Sequence, residues 1–277
     1  MKKTVSILAG VLCLMACNKV EEPSNNNTLS AVATIDTQTK TAYEDYGTGN
    51  GMKVDWAESD SFTAYYNGTS TLPFSKSAAG STFSAENVPD GVTTSTQFTG
   101  LYGSAATLSS TGAINIDFRK QDGSLENLPA YDVMTATSEL TDGALSFAFK
   151  HKCAILRLSV KNGDLSGKTP VKQVELIIND SSISSDFGTS GFTVNTYSGY
   201  SSVTFTLANP ILYGQTATVY CVIPAITYKK ISYSGIGATI KDNLVSYVIN
   251  TPETGIVAGN VYDASTLYEA GSCTNPE

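Results

Sequence analysis

Sixteen residues near the middle of the chain, LSFAFKHKCAILRLSV at 145–160, constrain the fold more than any other stretch. Leu145, Phe147, Phe149, Cys153 and Ile155 share one parity, and Ser146, Lys150 and Lys152 the other. Side chains of a strand alternate between its two faces, so this pattern predicts a half-buried β-strand. The register then changes. Leu156, Leu158 and Val160 carry the apolar side, and Arg157, Ser159 and Lys161 the polar side. A slip of one residue moves every side chain to the opposite face. The chain therefore either bulges near 153–155 or passes there from one sheet or core to another. Lying mid-chain, the stretch predicts a joint between two β-domains.

The rest of the chain keeps to the same pattern. Leu29, Ala31, Ala33 and Ile35 alternate with Ser30, Val32 and Thr34, which predicts a first strand over 29–35. Asn67-Gly68 and Asp142-Gly143 are turn dipeptides that close hairpins, and Asp122-Gly123 and Asn162-Gly163 mark further turns. Val203, Phe205 and Leu207 predict a short strand that ends before Pro210, and Pro224 stops another over 218–223. No run of about ten residues keeps a helical period. About a dozen or more short strands broken by Gly, Pro and Asn read as an all-β sandwich chain. At 277 residues the chain holds one large or two ordinary domains. Strand count and the register switch favour two sandwiches of mostly antiparallel strands, at 29–146 and 147–277.

The first sixteen residues are not part of that fold. Lys2 and Lys3 precede an apolar run from Val5 to Met15, too short for a mature membrane span. The run ends Leu14-Met15-Ala16-Cys17, which resembles the lipobox of bacterial lipoproteins. Small Ala16 gives a signal peptidase access to the bond before Cys17, whose thiol takes a diacylglycerol. This implies a signal peptide over 1–16, a palmitate-type lipid anchor on Cys17, and a polar tether over 17–28. Glu21-Glu22 is either an acidic signal for export to the cell surface or a solvated linker. Loss of 1–16 leaves 15 basic and 25 acidic residues, a net charge of −10. That charge argues against a nucleic-acid partner and against docking on anionic lipid by charge. Beyond Cys13 and Cys17 remain Cys153, Cys221 and Cys273. Cys153 and Cys221 either pair after export or stay buried as free thiols. A single His and no C-x-x-C argue against a zinc site, and no cofactor is expected.

Three stretches resemble the fimbrillin-like (Mfa-like) family of surface lipoproteins. Lys40-Thr41 precedes a V-x-W-x-x-x-D-x-F segment, Val54 to Phe62, in which Ser59 replaces the family's usual Gly. Phe149, His151 and Ala154 match an F-x-H-x-x-A strand, and Ala258, Gly259 and Tyr262 an A-G-x-x-Y strand. The resemblance implies two tandem transthyretin-like β-sandwich domains in an outer-membrane lipoprotein. It implies a non-catalytic fimbrial subunit or adhesin that joins other subunits, or copies of itself, by donor-strand exchange. The removable strand is then 29–35, and Lys40 the candidate processing site. The alternative is a monomeric surface lipoprotein that binds a host or bacterial surface ligand, such as a glycan, through loops such as 181–202.

No residue pattern here points to catalysis. His151 has no ordered Ser/His/Asp partners in the sequence and is expected as a hydrogen-bonded core histidine. Asp55, Glu58 and Asp60 fit no calcium loop, and Asp60 is expected to cap a turn. Trp56 on a strand is expected in the core rather than as a sugar platform. Scattered strand tyrosines such as Tyr65 and Tyr66 are expected to pack.

Overall fold

The central stretch passes between two cores. A computed structural model describes residues 27–35, 42–45, 47, 52–76, 80–163, 169–178, 187, 193–195, 200–225, 230–236, 243–250 and 256–264. In chain order its strands are β1 (Leu29–Ile35), β2 (Ala42–Asp45), β3 (Met52–Asp55), β4 (Ser61–Tyr66), β5 (Ser70–Lys76), β6 (Thr82–Ala85) and β7 (Gln97–Tyr102). There follow β8 (Ala106–Leu108), β9 (Ile114–Ile116), β10 (Met134–Glu139), β11 (Ala144–His151), β12 (Cys153–Lys161) and β13 (Val171–Ile178). The last are β14 (Thr193–Asn195), β15 (Tyr200–Ile211), β16 (Thr216–Pro224), β17 (Lys230–Ile236), β18 (Asn243–Asn250) and β19 (Val261–Ala264). Only a 3-10 turn at Phe118–Lys120 and one helical turn, α1 (Leu128–Tyr131), interrupt the strands among the described residues. The protein is all-β.

β11 ends at His151 and β12 begins at Cys153, in different sheets. Leu145, Phe147 and Phe149 of β11 belong to one buried cluster, and Cys153, Ile155, Leu156 and Leu158 of β12 to another. The passage falls at Lys152, ahead of the change of parity, and Cys153 and Ile155 keep the odd parity of β11 while serving the other core. β12 is buried from Cys153 through Leu158 without alternation, because both of its faces are covered.

The first sheet is not the expected sandwich. It closes on itself as a seven-stranded barrel in the order β1-β11-β10-β7-β4-β5-β6. Sandwich and barrel strands share one alternating pattern, so only long-range pairing tells them apart. Closure comes from β1, which runs parallel to β11 and antiparallel to β6. Inside lie six phenylalanines at positions 62, 74, 83, 98, 147 and 149. Phe62 stacks on Phe74 at 5.0 Å and meets Phe83, Phe147 and Phe149 edge-on at 5.1 Å each. Ala31, Ala33, Ala64, Gly100 and Ala136 give these rings room.

The second cluster takes side chains from the sheet β16-β12-β19 and from the sheet β14-β15-β13-β17-β18. It also takes Met52, Ile114, Ile116, Phe118, Leu128 and Val133 from earlier in the chain. Asp142 and Gly143 adopt φ of 51° and 78° and form the two-residue turn between β10 and β11. That turn has the twist a tight hairpin needs. Pro210 does not end its strand as expected. β15 runs through it to Ile211, because its pairing with β13 shifts register between Val171 and Gln173. A residue without an N–H sits without cost where a ladder is already interrupted.

A tight barrel interior should not accept added bulk. A Cβ built on Gly100 lies 2.9 Å from Phe149 Cζ and 3.1 Å from Phe147 Cδ1. Gly100→Val is expected to lower unfolding free energy by about 1–3 kcal/mol in a urea titration. Gly91→Ala, which meets nothing within 4 Å, should leave the midpoint unchanged.

Candidate functional site

β1 closes the barrel with a seam on each side. Ser30 to Ile35 lie opposite Ala144 to Phe149 of β11, and Leu29 to Val32 opposite Ala85 to Thr82 of β6. Leu29, Ala31 and Ala33 point into the barrel, and Ser30, Val32 and Thr34 point out. β6 begins at Thr82, opposite Val32. Just past it, the Ala33 N–H donates to Ser81 O at 2.8 Å, and the Trp56 indole Nε1–H donates to Ala33 O at 2.9 Å. Trp56 therefore holds the end of β1 where its strand partner runs out. The ring stands edge-on to Phe83, Tyr102 and Phe149 at 5.0, 5.6 and 5.9 Å. Its carbonyl accepts from Lys76 Nζ at 2.7 Å.

Asp60 organises the turn behind Trp56. Its Oδ2 accepts from Ala57 N–H at 2.6 Å, and its own N–H donates to Ala57 O at 3.1 Å. Oδ1 accepts from the Tyr102 hydroxyl at 3.2 Å. Ser59 does not take a positive φ, so this turn has no need of a Gly there.

His151 lies at the passage between the cores. Its Nδ1 donates to Asp132 Oδ1 at 2.9 Å, and the Tyr43 hydroxyl donates to Asp132 Oδ2 at 2.5 Å. The side chains of His151 and Asp132 are only 5% and 1% exposed, so no substrate reaches them. Burial, reinforced by the Asp132 charge, pushes the Tyr43 phenol well up and keeps it a neutral donor. The same two causes push the Cys153 thiol up, the reverse of what a nucleophile requires. Gly259, at φ 78°, donates its N–H to Cys153 O, and a Cβ added there would lie 3.6 Å from the His151 ring.

A second polar cluster binds the β2–β3 hairpin to the sheet of β12. The Arg157 guanidinium donates to Asp263 on β19 through Nε and Nη2 and to Asp45 on β2 through Nη1. Tyr220 on β16 donates to Asp45 Oδ2 at 2.5 Å. Burial pushes the Asp45 carboxyl up, but hydrogen bonds from Tyr220 and the Gly47 N–H, together with Arg157, outweigh it and hold it below its ordinary value. The sequence pattern had put Arg157 on a solvated face; the hairpin covers that face. A charge set within an apolar run was the only signal of this cluster.

Cys153 and Cys221 are free thiols. Cys221 pairs with Leu156, not Cys153, so the two sulfurs lie three positions apart on opposite faces. Burial raises the Cys221 thiol to about 12. Among the described residues no group of three or more His, Cys, Asp or Glu is placed to hold a metal ion. A cleft of 320 Å³ is lined by Asp122, Glu126, Asn209, Thr218 and Tyr220 among others. Ala16, Cys17, Lys40, Cys273 and most of 181–202 lie outside the described residues.

No protein-family profile matches the chain, and no curated protein sequence matches it. Among solved structures it is similar to a candidate cell adhesion protein of Bacteroides ovatus, at TM-score 0.46 and 15% identity over 84% of this chain and 89% of that one. A candidate cell adhesion protein of Bacteroides uniformis gives 0.41 and 16% over 87% and 92%. The fimbrial anchor protein of Porphyromonas gingivalis gives 0.31 and 12% over 80% and 82%. These neighbours are adhesion and fimbrial proteins, the kind the sequence resembles. With TM-scores below 0.5, the likenesses assign neither a family nor a function to this chain.

Two outcomes are expected of the clusters. In the native protein at pH 8, peptide mapping after iodoacetamide should find Cys153 and Cys221 unlabelled, and both labelled in denaturant. Arg157→Met should cost about 2 kcal/mol or more in urea unfolding, less than a fully buried pair, because Asp45 and Asp263 keep some contact with water. A carboxyl depressed on folding adds stability above its unfolded value of about 3.9 and loses it as pH falls through the folded value. Asp45→Asn should therefore lose less stability than the parent when acidified below about pH 4.

Proposed function

We propose that this chain is an envelope-anchored fimbrial subunit or surface adhesin that joins its neighbours by strand addition at the β1 site. The observation that carries it is the seam. β1 is held by backbone ladders on both sides, yet two of its inward side chains are only alanines. Departure of β1 would uncover two unpaired edges, β6 and β11, and a floor of aromatic rings. An extended segment of another subunit would restore both ladders, with backbone bonds giving affinity and alternate side chains giving register.

In this proposal the precursor is cut after Ala16 and lipidated on Cys17. Each buried CH₂ of the acyl chains adds about 0.8 kcal/mol of membrane affinity, which holds the precursor on the outer membrane until a cut near Lys40 releases the lipid with β1. Processing near Lys40 would free β1, while Asp45 and Tyr43 keep the β2–β3 hairpin on the body. The chain is then two modules, divided in the sequence near 146/147, and the change of core across Lys152 supports a division in this region. The pair of sheets in the second half supports a sandwich there. The business of such a protein is contact, not catalysis.

Purified lipid-free protein treated with a lysine-specific protease is expected to lose its N-terminal strand and form a ladder of oligomers on a native gel. Lys40→Ala should resist the cut and stay monomeric. Monomer that persists after mass spectrometry shows β1 released would remove strand addition.

A further inference from the structure

The barrel interior also dictates what kind of strand can take the place of β1. Its inward positions run large–small–small–large: Leu29, Ala31, Ala33 and Ile35. The register sets Ala31 opposite Phe83 on β6 and Leu145 on β11, and Ala33 opposite Phe147. On the other flank of β11, β10 and the residue after it repeat the order with Met134, Ala136, Ser138 and Leu140, all buried. The Met134–His151 pairing, continued in register to the Thr141–Ala144 bridge, sets Ala136 opposite Phe149 and Ser138 opposite Phe147. Each ring of β11 thus has a short side chain on at least one flank, and Gly100 leaves no room beneath Phe149. The volume that β1 would surrender at its centre is two methyl groups, closed in by rings already in contact with one another.

We propose that the β1 site is a selective acceptor: it admits a strand of another subunit only if that strand carries large–x–small–x–small–x–large, with Ala, Gly or Ser at the two central inward positions. The inference rests on the strand-addition function and names the partner's chemistry. Backbone ladders accept any extended segment, so they discriminate nothing. Discrimination comes from overpacking, since a close-packed interior has no slack for a larger side chain. The outward positions carry no such limit, because Val32 stands 46% exposed.

The test uses the full chain with a protease site inserted between residues 36 and 41, cut and then offered fluorescent peptides spanning 28–35. The parent peptide should displace the nicked strand and raise anisotropy. An Ala33→Leu peptide should bind about tenfold or more weakly. A Val32→Leu peptide adds bulk on the outer face and should match the parent within about twofold. Equal binding of the Ala33→Leu peptide overturns the selectivity but leaves strand addition standing. So does a Val32→Leu peptide weakened as much as Ala33→Leu, since bulk alone would then explain both. A parent peptide that never enters overturns strand addition and this inference together.

Discussion

Closure of the seven-stranded sheet by β1 is the constraint on which the first half of this protein depends. Six strands alone would leave β6 and β11 with unpaired N–H and C=O groups and Phe83 and Phe147 open to water. Such edges are templates for pairing with other chains, and a barrel removes them. The closing strand is also the first in sequence, so both of its closing contacts are long-range. β1 meets β6 within about fifty residues of chain, but it meets β11 more than a hundred residues away.

The second dependence is electrostatic. β2, β12, β16 and β19 meet through Arg157, Asp45, Tyr220 and Asp263, and the passage at Lys152 is held by Tyr43, Asp132 and His151. Buried polar groups cost stability unless all are satisfied, and here each is bonded to a partner on a different element. Such networks fix geometry more than they add stability. Packing around the same passage brings the three sequence motifs together in space. Trp56 touches Phe149, Phe149 leads two residues on to His151, and His151 rests against Gly259.

Much of the local structure was legible. Asn67-Gly68 and Asp142-Gly143 form their hairpins because Asn, Asp and Gly tolerate positive φ. The central stretch does hold the change of core, but its change of parity reflects the burial of both faces of β12 rather than a slip of register. Pro210 misled because a register shift in a partner strand leaves no local mark. Arg157 misled because its burial depends on a hairpin more than a hundred residues earlier. The paired Asp132, Tyr220 and Asp263 gave no signal, for a single carboxylate or phenol looks the same whether solvated or paired.

By itself, then, the sequence determined the strands, their faces, the turns between them and the point where one core gives way to another. These are set by the two-residue period and by backbone preference, which act within a few neighbouring residues. Tertiary structure alone decided that the first sheet is a barrel, that Leu29–Ile35 is its closing strand, and that Arg157 is locked inside. Those outcomes depend on which distant backbones meet, and alternation along one strand carries no information about its neighbour.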